Sequence, residues 1–376
     1  MKHYKKYVIS AIVFLTMLCL CSCNSRTSSY KDLGCPTKEY YQNNLIARCV
    51  WDMTIFENKL YIGCGDYSNN SGPTPVLYCN LSDLGNWKEQ AVLQDEQLGR
   101  FLLIDDKLTI PGFDPIGSPE LGTYYQLDNG VWQTKSGLLD GLHNFDLIRY
   151  DGKLFAGIGA SRGSTPIIAS EDGKDFVRIP MNKDGEPIQT SGGECIRSHN
   201  FYVLNDNLYA SFWYENMDEN KLVSEIYRYE NGAFAFHNNL VGKLNTGLSC
   251  RNIPPKWAKA VINDTLFLTT GHLYYTNDMS EFTLINLPEY AQTYDLYVYD
   301  NTLYILTASL DEDEYKITVY STSTGEIDSF KKEITFNYSV HPTSFAVNDD
   351  SFFMALGKWW NDGAEQNGTI VQIKRD

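Results

Sequence analysis

Positive charge is what this sequence has least of: 31 Lys and Arg stand against 47 Asp and Glu, a formal net charge of −16 at pH 7. Affinity for a polyanion needs clustered Lys and Arg, so the balance excludes a nucleic-acid-binding surface. The nine cysteines include no C-x-x-C pair, which excludes zinc-ribbon and thioredoxin-like sites. Glycine-rich phosphate loops and H-E-x-x-H are absent as well. Gly (28) and Pro (13) are too few for a collagen-like or low-complexity chain. What is present is a 43% hydrophobic, 14% aromatic chain of 376 residues, long enough to bury a large core. Length alone suggests two domains, although large all-β folds run this long as one.

Internal repetition decides between these. Seven 13-residue segments align without a gap, starting at Trp51, Gly99, Phe145, His199, Trp257, Tyr294 and Thr343. Each is an apolar run, two turn residues, a spacer and a second apolar run. The turn pairs, from Glu57-Asn58 through Asp151-Gly152 to Asp349-Asp350, are residue types that tolerate the positive φ of tight hairpins. After each hairpin but the last comes a further strand, a small polar turn and a large hydrophobe: Trp87, Trp132, Phe176, Phe234, Phe282 and Ile327. The step from Leu60 to Phe352 averages about 49 residues, a propeller-blade period. The expectation is an all-β, seven-bladed propeller of four-stranded antiparallel blades. Its last unit lacks an outer strand, which residues 35–46 would supply to close the ring. The domain division is then 1–22 signal, 23–34 tether and 35–376 a single propeller.

The N-terminus carries a basic stretch (Lys2, His3, Lys5, Lys6) and an apolar run from Tyr7 to Leu20, too short to span a bilayer comfortably. It ends in Leu20-Cys21-Ser22-Cys23, which resembles a bacterial lipobox of the kind found on Bacteroidetes lipoproteins. By that resemblance Cys23 is lipidated with palmitate-type chains. The protein is then held at the outer membrane of the cell envelope, its leaflet open. Removing residues 1–22 takes away three lysines and no acids, moving the net charge from −16 to −19. Six cysteines follow Cys23, and an oxidising compartment permits them either disulfides or free burial.

Ser170-Glu171-Asp172-Gly173-Lys174-Asp175-Phe176, with a looser copy at Thr276-Asn277-Asp278 through Phe282, is similar to the box of the sialidase/Asp-box propeller class. In that class the box is structural. A sialidase would imply an Arg48, Arg197 and Arg251 cluster, Tyr294 or Tyr290 with Glu194, and Asp66 as acid/base. The family's F-R-I-P signature departs, because Phe176-Val177-Arg178-Ile179-Pro180 falls on an outer strand.

In a propeller, the loops leading into the inner strand and those joining strands two and three share one channel mouth. At the second column the repeats carry Asp52, Arg100, Asp146, Asn200, Ala258, Asp295 and Ser344, polar at six of seven, which reads as a solvated rim. In the next column Lys259 replaces a hydrophobe, so it needs a carboxylate partner or an anion. The mouth loops are rich in Arg, His and aromatics. Sugar rings stack on Trp and Tyr, and Arg grips carboxylates, so an acidic glycan, uronate- or sialate-bearing, uses both. Arg48, Arg100, Arg197, Arg251, Lys259, Trp359 and Trp360 are the candidate binding residues. His143, His199, Tyr294, Asp66 and Glu194 are the catalytic candidates. A polysaccharide lyase would take His143 or His199 as base, Arg197 or Arg251 to neutralise the carboxylate, and a Tyr as acid; a glycoside hydrolase is the other enzymatic expectation. No cofactor is expected beyond a calcium ion at Asp66–Gly72, whose loop offers alternating oxygens but no terminal Glu. Partners would be the carbohydrate, the membrane through the lipid, and proteins of an envelope glycan-use system. The alternative is a non-catalytic protein-interaction scaffold.

Overall fold

The computed structural model describes residues 28–117, 121–139, 143–160, 165–187, 196–216, 221–239, 258–288, 291–326, 329–359 and 363–375. Six of the seven repeat turns take both central residues to positive φ, as at Glu57 and Asn58 (47° and 58°) or Asp300 and Asn301 (47° and 52°). That mirror-image turn matches the twist of paired strands. The seventh differs. There Asn348 Oδ1 accepts the Asp350 and Ser351 N–H groups at 3.1 and 2.8 Å, and a side chain closes the turn.

The chain is an all-β propeller with four-stranded antiparallel blades. In the first repeat the strands are Asp52–Phe56, Lys59–Gly63, Thr74–Asn80 and Lys88–Leu93, hydrogen-bonded in that order. The expected count of seven separate blades is corrected to five. Repeats three and four instead share one ten-stranded sheet, in which Lys153–Ala160 pairs with Ile196–Leu204 through Gly159↔Arg197 and Ala160↔Ile196. Gly157 in Ala156-Gly157-Ile158-Gly159-Ala160 leaves room for that approach. A Cβ on Gly157 would stand 2.7 Å from the Ser198 carbonyl oxygen, so a side chain there would push the strands apart.

The outer strand of the last sheet also differs from expectation. Residues 35–46 form turns, and it is Lys31–Asp32 that pairs antiparallel with Thr369–Lys374. Leu33 N–H extends the pairing to Ile370 O at 2.8 Å. The first and last sheets share one core, with Val50, Met53, Leu60 and Ile62 packed against Ala346, Phe353 and Ala355. The described cysteines Cys35, Cys49, Cys64 and Cys79 are free thiols, and Cys195 and Cys250 lie outside the described residues.

The second-column residues are not a wet rim. Asp52, Asp146, Asn200, Asp295 and Ser344 are all buried. The three aspartates repeat one device. Asp52 accepts Met53 N–H at 2.8 Å and, across the blade boundary, Phe101 N–H at 2.6 Å. Asp146 does the same with Leu147 and Phe201 (3.1 and 2.8 Å), and Asp295 with Leu296 and Phe345 (2.8 and 3.1 Å). Each carboxylate satisfies an inner-strand amide of its neighbour, so the column latches adjacent repeats together.

Candidate functional site

Four inner strands are bulged at the mouth. The pairing register jumps between Asn144 and Asp146, Ser198 and Asn200, Thr293 and Asp295, and Pro342 and Ser344. Phe145, His199, Tyr294 and Thr343 are therefore the extra residues. A bulge interrupts the alternation of faces and re-aims a side chain, which is how first-column residues reach the mouth.

Around Phe145 the strands bring three of the candidates together. The His199 ring stacks on Phe145 at 4.2 Å between centroids, and His143 lies on the same ring at 6.0 Å. The Arg197 guanidinium sits 5.9 Å from the Phe145 centroid, within cation–π reach. His143 Nδ1 is 3.0 Å from Phe113 O, the distance of an N–H donated to that carbonyl, which leaves Nε2 as the basic nitrogen. His199 is different: its Nε2 is enclosed, and burial, with Arg197 and Arg100 nearby, holds its imidazole well below the usual range. Of the two histidines, His143 has the accessible nitrogen.

The other wall is acidic. Asp114 Oδ1 lies 3.7 Å from His143 Nδ1, and burial raises its carboxyl against the pull of His143 and Arg197. Beneath it Asp95 is fully buried, accepts Asp114 N–H at 3.0 Å, and is pushed by burial up to about 8. Phe113 meets Phe145 edge-on at 5.3 Å and Tyr67 at 5.1 Å, and Tyr67 is 42% exposed. Sequence reasoning missed Phe113 and Phe145 as the centre of this site. The signal was in the alignment, whose first column reads Trp51, Phe145, His199, Trp257 and Tyr294 in five of seven repeats.

The remaining candidates fall elsewhere. Tyr294 joins a second cluster, its ring 4.9 Å from His341 and 5.9 Å from Trp359. His341 is fully buried there, which takes its imidazole down to about 4. Arg48 is a buried clamp rather than a ligand grip: it donates to Tyr41 O and Gln42 O at 2.8 and 2.7 Å and meets Glu365 at 3.2 Å. Asp66 caps a short 3-10 turn, accepting from Ser68 N–H at 3.0 Å, from Asn69 at 2.5 Å and from Asn44 at 3.3 Å. An approaching cation would have to displace those donors. Arg100 and Lys259 both pair with Asp146, Arg100 at 3.0 Å, and Lys259 also donates to Phe201 O at 2.6 Å. Burial would raise the Asp146 carboxyl, but these two cations bring it below its usual range. They line a cavity of about 170 Å³ with Asp52, Phe101 and Leu296, away from His143. Glu194, Arg251, Trp360 and Cys23 lie outside the described residues.

Two turn motifs take one geometry. Ser170 Oγ accepts Gly173 N–H at 2.9 Å and Asp172 accepts Lys174 and Asp175 N–H at 2.9 and 3.0 Å; Thr276 and Asp278 repeat the pattern on Met279 and Ser280 (3.0 and 2.8 Å). Those amides hold the Asp172 carboxyl down at about 2. Gly159-Ala160-Ser161-Arg162-Gly163 spells G-x-S-x-G, but it connects two strands rather than a strand and a helix, and Ser161 lies outside the described residues.

No family model and no curated protein matches the chain. Among solved structures it is similar to a polysaccharide lyase of a new family, PL25 ulvan lyase bound to -[GlcA(1-4)Rha3S]-, at 13% identity, 93% of this chain and 95% of that one, TM-score 0.49. The polysaccharide lyase Uly1 follows at 10% identity, 88% and 90% coverage, TM-score 0.47. The β-propeller domain of the Trilobed protease from Pyrococcus furiosus is similar at 11% identity, 85% and 97% coverage, TM-score 0.46. At these scores nothing about activity passes to this chain.

Proposed function

We propose that the chain binds and cleaves an acidic, uronate-bearing glycan at the mouth formed by repeats one to four. The observation that carries this reading is the convergence of His143, Arg197 and His199 on Phe145. Arg197 would grip the sugar carboxylate and neutralise it, which acidifies the C–H beside that group. His143, through Nε2, would take the proton. The carbon–carbon double bond then forms as the glycosidic C–O bond breaks, and the leaving oxygen picks up a proton. Cleavage by elimination is supported by this pairing of a guanidinium with an imidazole base, where hydrolysis would call for two carboxyls across the bond.

Incubation with uronate polysaccharides, followed by the ultraviolet absorbance of the unsaturated product, tests it. His143→Ala should lower kcat at least ~100-fold, and Arg197→Ala should depress both binding and turnover. Hydrolysis without unsaturated product would replace elimination, and binding without turnover would reduce the protein to a glycan-binding module. Attachment to the envelope through lipidated Cys23 belongs to the same reading, and labelling with a palmitate analogue, lost in Cys23→Ala, checks it. The scaffold alternative draws on Leu103, Val261 and Val298, exposed at equivalent inner-strand positions towards the opposite end of the channel. Retention of a protein partner by wild type, and its loss in Leu103→Asp, would favour that reading.

A further inference from the structure

The mouth carries two aromatic groups, and repeat one joins them. On one side the rings run His199, Phe145, Phe113, Tyr67, with successive centroids 4.2, 5.3 and 5.1 Å apart. On the other, Trp51 lies 6.5 Å from Trp359, which lies 4.6 Å from His341 and 5.9 Å from Tyr294. The link is Gly65-Asp66-Tyr67: Trp51 Nε1 donates to Gly65 O at 2.6 Å, and Tyr67 follows two residues later. This link is rigid. Asp66 caps the Tyr67–Asn69 turn, and a Cβ on Gly65 would meet Glu96 O at 2.4 Å.

The second cluster sits at the same mouth by construction. Tyr294 and His341 lead into the inner strands of repeats six and seven, and Trp359 follows the second strand of repeat seven. Trp359 and Tyr294 are partly exposed, over a floor made by buried His341 and Trp51. A partly exposed indole and phenol held on a buried floor form a preorganised platform for the C–H face of a pyranose ring. His341 adds no charge there, because Pro342 O takes its Nδ1 at 2.8 Å and burial keeps the imidazole neutral.

We propose that the Tyr294–Trp359 platform is a second sugar-stacking subsite, which holds a remote residue of the same glycan chain whose uronate lies at Arg197. The proposal rests on the uronate-glycan reading of the first cluster and adds to it that the ligand is an oligosaccharide laid along the arc through Tyr67. Short ligands then fill only one end, and affinity climbs with length until the chain reaches Trp359.

Calorimetric titration of the full chain carrying His143→Ala, which slows cleavage and keeps Arg197, with pectate and hyaluronan oligosaccharides fractionated from disaccharide to decasaccharide, tests this. For whichever series binds, affinity should rise at least ~10-fold along the ladder, a difference of about 1.4 kcal/mol. Trp359→Ala and Tyr67→Ala should each remove most of that rise, and Trp359→Phe, which keeps a ring, should restore part of it. Thermal melts of the variants separate lost stacking from lost folding. Affinity independent of length, or a full rise in a folded Trp359→Ala protein, overturns the second subsite while leaving the Arg197 site standing. Failure of every length to bind overturns both.

Discussion

At the scale of single residues, the buried carboxyl of Asp95 makes the sharpest statement. Its Oδ1 holds the amide of Asp114, and Oδ2 is buried with no hydrogen-bond partner among the described residues, so ionisation is costly and burial pushes the carboxyl up to about 8. In the unfolded chain an Asp ionises near pH 4. Between those values the folded protein keeps a proton that the unfolded chain has lost, so this residue's contribution to stability falls as pH rises from about 4 to about 8. Asp95→Asn keeps an acceptor for Asp114 and cannot ionise. It should be more stable than wild type at pH 8, on the order of 1–3 kcal/mol, with the gap closing toward pH 4; urea titrations at the two pH values measure it. A constant gap would mean that Asp95 is ionised in the fold. Residues of this kind differ in how legible they are. Lys259 announces itself because the repeat alignment shows a cation where six other residues are hydrophobic, and Asp146 is the partner found. Arg48 does not, since its partners are backbone carbonyls of Tyr41 and Gln42 in a segment that repeats nothing.

At the scale of elements, the hairpins were readable because Asn, Asp and Gly at fixed offsets determine turn type locally. What the same alignment hid was a choice made between repeats. The second strand of repeat three reads as ordinary, with Gly157 where repeat one has Gly63, but it runs three residues further, to Ala160, and the fourth repeat pairs with that extension. Likewise the polar second column looked wet because polarity usually marks solvent. Its aspartates are instead buried acceptors for the next strand's amides, a contact that has no local signature. Gly157→Val tests the fused edge: with Ser198 O 2.7 Å from the new Cβ, the variant should lose about 2–4 kcal/mol, and amide exchange should quicken at Ile196 and Arg197. Because Arg197 is one of the fused pairs, glycan affinity should fall with it. A stable Gly157→Val protein with unchanged exchange would show that the strands can part without cost.

At the scale of the whole molecule, the charge that excluded nucleic acid bears on the ligand proposed in its place. A protein of net charge −16 repels an acidic glycan at long range, and the mouth adds Asp114 beside Arg197, with Glu96 next to Asp114. Attraction is confined to contact, where the guanidinium meets one carboxylate over an apolar ring and salt screens it little. The two ranges respond oppositely to ionic strength. Raising salt from about 0.01 to 0.15 M shortens the screening length from about 30 to 8 Å, which removes the repulsion but spares the contact. Association with a uronate oligosaccharide should therefore speed up with salt, and dissociation should change far less. A basic, polyanion-steering surface would do the reverse. Stopped-flow fluorescence of the mouth tryptophans, read across that salt range, gives both rate constants. An association rate that falls with salt would mean that the local cations reach beyond the mouth and dominate the encounter. The acidic exterior would then be a bystander to recognition, whereas in the proposed reading it filters out polyanions that lack sugar faces to stack.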